Sequence, residues 1–170
     1  IHKAEALIRW NHHSLGHISP AQFIPIAEDT GIIYELGEWV FDTAAQQLKE
    51  WRESLHPEFQ MSINKSPVQF KNPHSMWVNN IRKIGLPGQG IVVEITESSL
   101  LDATETVADK LLKFRDAGIQ VAIDDFGTGY SSLSYLKKYD VDYIKIDQSF
   151  VKSMTDNSSD MRLCEAIILM

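Results

Sequence analysis

The chain has 170 residues, of which 44% are hydrophobic and 23% charged, a composition that is ordinary for one soluble globular domain. Its formal net charge of -7 and the lack of a basic stripe argue against a nucleic-acid polymer as partner. Cys164 is the single cysteine, which excludes an internal disulfide and a cysteine-rich zinc site and fits a reducing cytoplasm. The chain begins without Met and without a signal peptide, so we expect a fragment of a longer protein, cytoplasmic or tethered to a membrane elsewhere.

Five short runs predict β-strands, and helical patterns alternate with them along the chain. In order, the strand runs are KAEALIRW, FQMSIN, GIVVEITE, QVAIDD and VDYIKID. The predicted helices begin near Pro25, near Val40, at Pro67 (to residue 84), before Val107 (with a stop at Gly118), at Ser131 (to residue 138) and at Ser159. Strands that alternate with helices predict right-handed βαβ units and a parallel sheet.

Alternation along each strand separates an apolar face from a face that becomes polar near the carboxyl end. In GIVVEITE, for example, Val93 and Ile95 lie opposite Val92 and Glu94. Polar groups on five successive strands favour a TIM-like β/α barrel, because a doubly wound open sheet would gather them at one switch point. A barrel of this kind has eight strands in about 250 residues, so we expect an incomplete barrel.

The predicted inward-facing polar set is rich in carboxylates. Its members are Glu5, Asn64, Glu94, Asp124, Asp125, Lys145 and Asp147. Carboxylates that converge on one barrel mouth repel each other unless they are protonated or bound to a cation, and a structural ion-pair cluster is the alternative. Oxygen ligands suit Mg²⁺ or Mn²⁺, and two such ions about 4 Å apart can promote phosphoester hydrolysis. Lys145 would then stabilise phosphate charge or orient the attacking water.

Two details of this set depend on backbone geometry. Asp125 must turn inward as its strand ends, and Gly127 and Gly129 would allow that excursion. Glu94 and Glu97 resemble a glycosidase carboxylate pair, but their spacing of three places them on opposite strand faces. We therefore expect Glu97 to hold a loop rather than to act in the chemistry.

Two further groups have alternative interpretations. NHHSLGH predicts either a transition-metal site or, as we favour, a solvated loop, and its histidines are His12, His13 and His17. The aromatic side chains of the second helix predict helix packing rather than a platform that stacks bases, and they are Trp39, Phe41 and Trp51.

Six stretches together resemble one family, the EAL domain family. They are EALIRW, FIPIAEDTGII, INKSPVQF, VEITES, DDFGTGYSSLSYL and YIKIDQSFV, in this order from Glu5 to about Val151. The resemblance implies that residues 1–170 form part of an EAL phosphodiesterase domain. Such domains hydrolyse cyclic di-GMP to the linear dinucleotide pGpG in bacterial second-messenger signalling, with two divalent metals in a β/α barrel. A non-hydrolysing cyclic di-GMP receptor and another phosphate-handling barrel enzyme are the alternatives.

The resemblance also assigns residue roles. The implied metal ligands are Glu5, Asn64, Glu94, Asp124, Asp125 and Asp147, and the implied catalytic residues are Lys145, Glu94 and Asp124. Arg9 and Glu28 would contact the substrate, and Glu97 would anchor the loop 126–132. Family segments with Tyr-Gln-Pro, Glu-Gly-Val-Glu and Gln-Gly are missing from this sequence, so we expect an incomplete metal shell in the isolated chain.

The family's partners are implied in the same way. We expect a homodimer through the surface near the loop 126–132. We also expect fusion to a sensor domain or to a diguanylate-cyclase-like GGDEF domain in the parent protein.

Overall fold

The computed structural model describes residues 2–70, 76–101, 105–128, 139, 141–155 and 158–169. The strands are β1 (Lys3–Ala6), β2 (Trp10–His12), β3 (Gly16–Ile18), β4 (Gln60–Asn64), β5 (Ile91–Thr96), β6 (Gln120–Phe126) and β7 (Tyr143–Ile146). The helices are α1 (Pro20–Thr30), α2 (Ile33–Ser54), α3 (Pro67–Phe70), α4 (Trp77–Ile84), α5 (Glu97–Leu101), α6 (Glu105–Asp116), α7 (Gln148–Lys152) and α8 (Ser159–Ile168). A short 3₁₀ turn occupies Gly88–Gly90.

The main sheet has the order β1-β4-β5-β6-β7, and every neighbouring pair is parallel. Its strands follow one another in chain order, with no switch point at which the winding reverses, so the doubly wound alternative is wrong. Helices lie between β1 and β4, between β4 and β5 and between β5 and β6, and they complete these three βαβ units. The predicted incomplete TIM-like β/α barrel is therefore confirmed, with five of the eight strands of a closed barrel among the described residues.

The central strand β5 is buried on both faces. Residues 91–95 are each at most 3% exposed, as expected where a parallel sheet is covered on both sides. Ile91, Val93 and Ile95 join the main hydrophobic core. Val92 and Glu94 point to the opposite, concave face because side chains alternate along a strand. The predicted division of faces in this strand is thus confirmed.

Helix α2 packs against the sheet through one apolar stripe. Phe41 is fully buried and stacks on Trp77 with ring centroids 4.6 Å apart. Trp51 contacts Phe59 at a centroid distance of 5.1 Å. Trp39, in contrast, is 59% exposed. The predicted packing role is confirmed for Phe41 and Trp51 and is wrong for Trp39, which lies on the outer side of the helix.

Helix α1 begins earlier than predicted. It starts at Pro20, the first helical position, where proline is favoured because its missing N–H needs no partner there. The Gln22 side chain accepts a hydrogen bond from the Ser19 amide at 3.3 Å. Pro25 lies inside the helix, so the predicted start near Pro25 is wrong.

The first predicted strand is also too long. β1 ends at Ala6, and Trp10 begins β2, which pairs with β3 as an antiparallel hairpin. The Trp10 ring meets Phe23 edge to face at 5.5 Å. This contact docks the hairpin onto α1, so the segment predicted as a solvated loop has regular structure.

The other helix predictions have mixed outcomes. Residues 67–84, predicted as one helix, contain α3 and α4, with residues 71–75 outside the described part. Helix α6 ends before Gly118, whose φ of +74° suits a left-handed stop, and α8 begins at Ser159 as predicted. The predicted helix 131–138 lies outside the described residues. None of the helices that the structure describes is both long and apolar enough to span a membrane.

Candidate active site

Three carboxylates meet at the carboxyl ends of β1, β5 and β6. The parallel register pairs Asn64 with Glu94, so both side chains point to the concave face. One oxygen from each of Glu5, Glu94 and Asp124 lies within 4.8 Å of the other two. Among the described residues, they are the one group of three or more Asp, Glu, His or Cys side chains whose ligand atoms lie this close together. The structure thus brings together residues that are distant in sequence.

Lys145 lies among these carboxylates. Its Nζ is 2.6 Å from Glu94 Oε2, 3.1 Å from Asp124 Oδ2 and 3.7 Å from Glu5 Oε2. A single ammonium group therefore faces three carboxylates. With all four groups ionised, the cluster keeps an excess of negative charge.

The pKa shifts reflect this arrangement. Burial raises the pKa of Glu94, and the charge of Glu5 acts in the same direction, whereas the hydrogen bond from Lys145 opposes both. For Lys145, burial favours a lower pKa, but the hydrogen bonds to Glu94 and Asp124 outweigh it and raise the pKa. Lys145 is therefore held in its charged form.

The donor chemistry of the cluster fits divalent cations. Glu5, Glu94 and Asp124 offer carboxylate oxygens. Asn64 adds a carboxamide beside them, with its Nδ2 donating to Glu5 Oε1 at 2.7 Å. Hard cations prefer such oxygen donors, and a bound cation would offset the charge that Lys145 leaves unbalanced. The residues present can therefore hold the ions that the family resemblance implies.

Asp124 and Asp125 form a bulge in β6. The register with β7 shifts between Ile123 and Phe126. Two residues of β6, Asp124 and Asp125, therefore lie opposite one residue of β7, Lys145. Asp125 has a φ of 54°, in the left-handed region that most side chains avoid and aspartate tolerates better than most. The bulge allows two adjacent carboxylates to lie near the carboxyl end of the sheet on the same side.

This geometry corrects the prediction for the end of the strand. β6 does not end at Asp125 but continues to Phe126, and Asp125 itself makes the backbone excursion. Gly127, with a φ of +100°, follows the excursion rather than causing it. Gly129 lies outside the described residues.

Asp125 and Asp147 form a second acidic pair. Burial, then the charge of Asp124 and a hydrogen bond to Asp147, raise the pKa of Asp125. The hydroxyl and the backbone amide of Ser149 lower the pKa of Asp147. The Ser149 amide donates to Asp147 Oδ1 at 2.8 Å, so Asp147 is the N-cap of α7. Asp147 therefore has a capping role in this structure besides any role at the site.

Glu97 lies at the start of α5, below the segment that follows β6. It is 7% exposed, and its Oε2 accepts a hydrogen bond from the Gly127 amide at 3.3 Å. Its Oε1 is buried without a hydrogen-bond partner. Glu97 thus contacts the beginning of the loop 126–132, of which residues 129–132 lie outside the described part.

A cavity of about 320 Å³ opens beside the carboxylate cluster. Arg9, Glu28, Asn64 and Glu94 contribute to its wall, which is otherwise largely apolar. Glu28 Oε1 accepts a hydrogen bond from Ser66 Oγ at 2.5 Å. Arg9 is exposed and donates to the Ile8 carbonyl at 2.9 Å. The two residues predicted to contact substrate therefore lie at one cavity that also reaches the cluster.

Sequence reasoning overlooked two residues of this wall, Ser66 and Gln69. Ser66 holds Glu28, and Gln69 Oε1 accepts a hydrogen bond from the Ser66 amide at 3.0 Å. The signal was present, because Ser-x-x-Gln before an apolar residue is the pattern of a helix capping box.

Among the described residues, the three histidines of the hairpin do not come together as a metal site. The rings of His12 and His13 lie 4.3 Å apart, whereas His17 Nδ1 contacts Asn11 Oδ1 at 3.3 Å. Among the described residues, these side chains are not part of a group with metal-binding distances.

Comparison with known proteins finds one family. A family model described as "EAL domain" matches residues 1–170. The chain is 37% identical over 168 residues to the bifunctional diguanylate cyclase/cyclic di-GMP phosphodiesterase MucR of Pseudomonas aeruginosa, covering 96% of the chain and 24% of MucR. It is 33% identical over 174 residues to the cyclic di-GMP phosphodiesterase NbdA of the same organism, covering 100% of the chain and 22% of NbdA.

The fold comparison agrees. The solved structure of the PaMucR phosphodiesterase in complex with c-di-GMP superposes with a TM-score of 0.89 at 36% identity. The match covers 99% of this chain and 69% of the solved chain. The chain therefore spans about a quarter of the length of these curated relatives and roughly two thirds of the length of the solved chain.

Proposed function

The chain belongs to the EAL domain family, and we propose that it supplies the acidic part of an active site that hydrolyses cyclic di-GMP to pGpG. One observation carries the proposal: Glu5, Glu94 and Asp124 converge within 4.8 Å beside the Lys145 ammonium. They do so at the carboxyl ends of parallel strands, where barrel enzymes have their active sites.

We propose that two divalent cations, Mg²⁺ or Mn²⁺, belong to the working site. Their ligands would come from Glu5, Asn64, Glu94, Asp124, Asp125 and Asp147. When bound, such ions lower the pKa of a water molecule and neutralise phosphate charge.

Within this proposal, Lys145 is a catalytic residue together with Glu94 and Asp124. Its raised pKa keeps the ammonium charged, and a fixed positive charge stabilises negative charge that develops on a reacting phosphate. The hydrogen bonds to Glu94 and Asp124, at 2.6 and 3.1 Å, also fix the direction of both carboxylates.

The lining of the cavity supports the proposal that a nucleotide binds there. Arg9 would bind a phosphate, since a guanidinium matches phosphate oxygens with paired donors. Glu28, held by Ser66, would accept hydrogen bonds from a base that packs in the apolar part of the cavity. Glu97 would anchor the loop 126–132 through Gly127.

The remaining expectations concern the parent protein. Because MucR and NbdA are each about four times longer than the matched segment, we propose that sensor or GGDEF domains flank this one. A homodimer through the surface near the loop 126–132 and a cytoplasmic location, where a bacterial second messenger acts, belong to the same proposal.

Turnover by the domain with its native flanking sequence tests the function. We expect cyclic di-GMP to be converted to pGpG with Mg²⁺ or Mn²⁺ and excess EDTA to abolish the conversion. A folded domain that forms no pGpG with either ion contradicts the enzyme proposal. Calorimetric binding of cyclic di-GMP without turnover then favours the receptor, and no binding favours another phosphate-handling enzyme.

A further inference from the structure

A buried glutamine closes the turn that follows β4. Gln69 is 4% exposed, although its side chain is polar. Its Oε1 accepts a hydrogen bond from the Ser66 amide at 3.0 Å, and its own backbone amide donates to the Ser66 carbonyl at 3.0 Å. The two bonds fix the backbone of the turn from both sides.

The carboxamide of Gln69 also fits against α2. A Cβ added to Gly37 would lie 1.7 Å from Gln69 Nε2 and 2.7 Å from its Cδ. Gly37 does not have a positive φ, so the helical backbone itself does not require glycine there. Glycine inside a helix costs about 1 kcal/mol relative to alanine. The close approach of Gln69 is therefore the structural reason for glycine at this position.

The turn carries two side chains of the candidate site. Ser66 Oγ donates to Glu28 Oε1 at 2.5 Å. Asn64, at the end of β4, donates to Glu5 Oε1 at 2.7 Å. Asn64, Ser66, Gln69, Gly37 and Glu28 all line the same cavity. A change in the turn would therefore move a group of the cluster and a group of the cavity together.

We propose that Gln69, seated against Gly37, is a positioning residue that holds Asn64 at the carboxylate cluster and Glu28 at the cavity. The proposal rests on the proposed function, since it assigns Gln69 to the support of that site. A capping box for α3 alone would explain the bonds between Ser66 and Gln69. It would not explain the glycine on α2 that makes room for the carboxamide.

The test compares variants of the domain with its native flanking sequence. Gln69→Met keeps the length of the side chain but removes the acceptor, and Gly37→Ala pushes against the carboxamide. We expect each to lower kcat/KM for cyclic di-GMP about tenfold, with both kcat and KM changed. Gln46→Met is the matched control, because Gln46 is an exposed glutamine on the same helix α2.

A double-mutant cycle separates positioning from general destabilisation. In a Gln69→Ala background, the clash with Gly37→Ala is gone, so we expect Gly37→Ala to change kcat/KM less than about twofold. An equal effect of Gly37→Ala in both backgrounds overturns the proposal. So does a folded Gln69→Met variant whose kcat/KM stays within about twofold of the wild type.

Hydrogen exchange keeps this proposal separate from the proposed function. We expect the Ser66 amide to exchange at least about tenfold faster in Gln69→Met than in the wild type, because it loses its acceptor. If the wild type forms no pGpG, the proposed function fails, and faster Ser66 exchange still supports the hold on the turn. Unchanged Ser66 exchange overturns the positioning role whatever the turnover.

Discussion

The two ends of the same parallel sheet pair their polar side chains in different ways. At the amino ends, Gln60 Nε2 donates to Gln120 Oε1 at 2.7 Å, and the Tyr143 hydroxyl donates to the same oxygen at 3.3 Å. At the carboxyl ends, Lys145 faces three carboxylates. The neutral groups find partners within the chain, whereas the charged groups leave negative charge unbalanced.

This difference distinguishes stabilising groups from groups poised for a ligand. A neutral hydrogen bond contributes about 1 kcal/mol to stability. Like charges at close range reduce stability unless a cation accompanies them. The amino ends thus resemble a stabilising layer, and the carboxyl ends resemble a site that is complete only with its ligands.

The largest effect is expected for a charge removed at the carboxyl end. Asp124→Asn keeps the shape but removes one carboxylate, so we expect turnover of cyclic di-GMP to fall at least about a hundredfold. The melting temperature should stay near that of the wild type, because Lys145 keeps its 2.6 Å contact with Glu94. Asp109→Asn, an exposed change on α6, is the control and should retain turnover. Unfolding of Asp124→Asn would instead favour a structural ion-pair cluster.

The reverse pattern is expected at the amino end. Gln120→Leu removes the acceptor that Gln60 and Tyr143 share, so we expect the free energy of unfolding to fall by about 1–2 kcal/mol. Turnover per folded molecule should stay within about twofold of the wild type, because the change lies away from the mouth. Urea unfolding and a turnover assay on the same preparation measure both. A large loss of turnover without loss of stability would erase the distinction between the two ends.

A smaller effect concerns the backbone of the bulge. Asp125 has a φ of 54°, which asparagine tolerates and alanine does not. We expect Asp125→Ala to be about 1 kcal/mol less stable than Asp125→Asn in urea unfolding. Both variants lose the carboxylate, so their difference isolates the backbone. Equal stability of the two would show that the bulge relaxes without strain.

The smallest effect is a change in the pH dependence of stability. Because burial raises the pKa of Glu94 above its ordinary 4.5, the folded chain keeps this proton where the unfolded chain has lost it. The resulting stability is fully present below pH 4.5 and is lost as the pH rises through the folded pKa. The glutamine of Glu94→Gln cannot ionise. As the pH rises above 4.5, the unfolding free energy of this variant should therefore fall less than that of the wild type. Urea unfolding in EDTA measures this, and parallel curves would contradict it.

Much of the fold follows from local patterns. Period-two alternation identified the faces of β5, and the parallel order followed from strands that alternate with helices. The hairpin of β2 and β3 was not predicted, because each strand has three residues, too few for a periodic signal. Its docking depends on Trp10 and Phe23, a contact made only in the folded chain.

The candidate site divides in the same way. Alternation was sufficient to place Glu94 and Asp124 on the concave face. The left-handed backbone at Asp125 coincides with the shifted pairing between β6 and β7, and the contact of Gln69 with Gly37 joins separate elements. Neither feature produces a periodic pattern within one strand or helix, so neither could be predicted from the sequence of a single element.

The unbalanced charge at the carboxyl ends should bind cations, and calorimetric titration with Mn²⁺ measures that binding directly. The wild-type domain, with its native flanking sequence and without nucleotide, should bind Mn²⁺ saturably. Asp124→Asn should weaken that binding at least about tenfold, and Gln120→Leu should leave it unchanged. Equal Mn²⁺ binding by the wild type and Asp124→Asn, or none by either, would contradict the account.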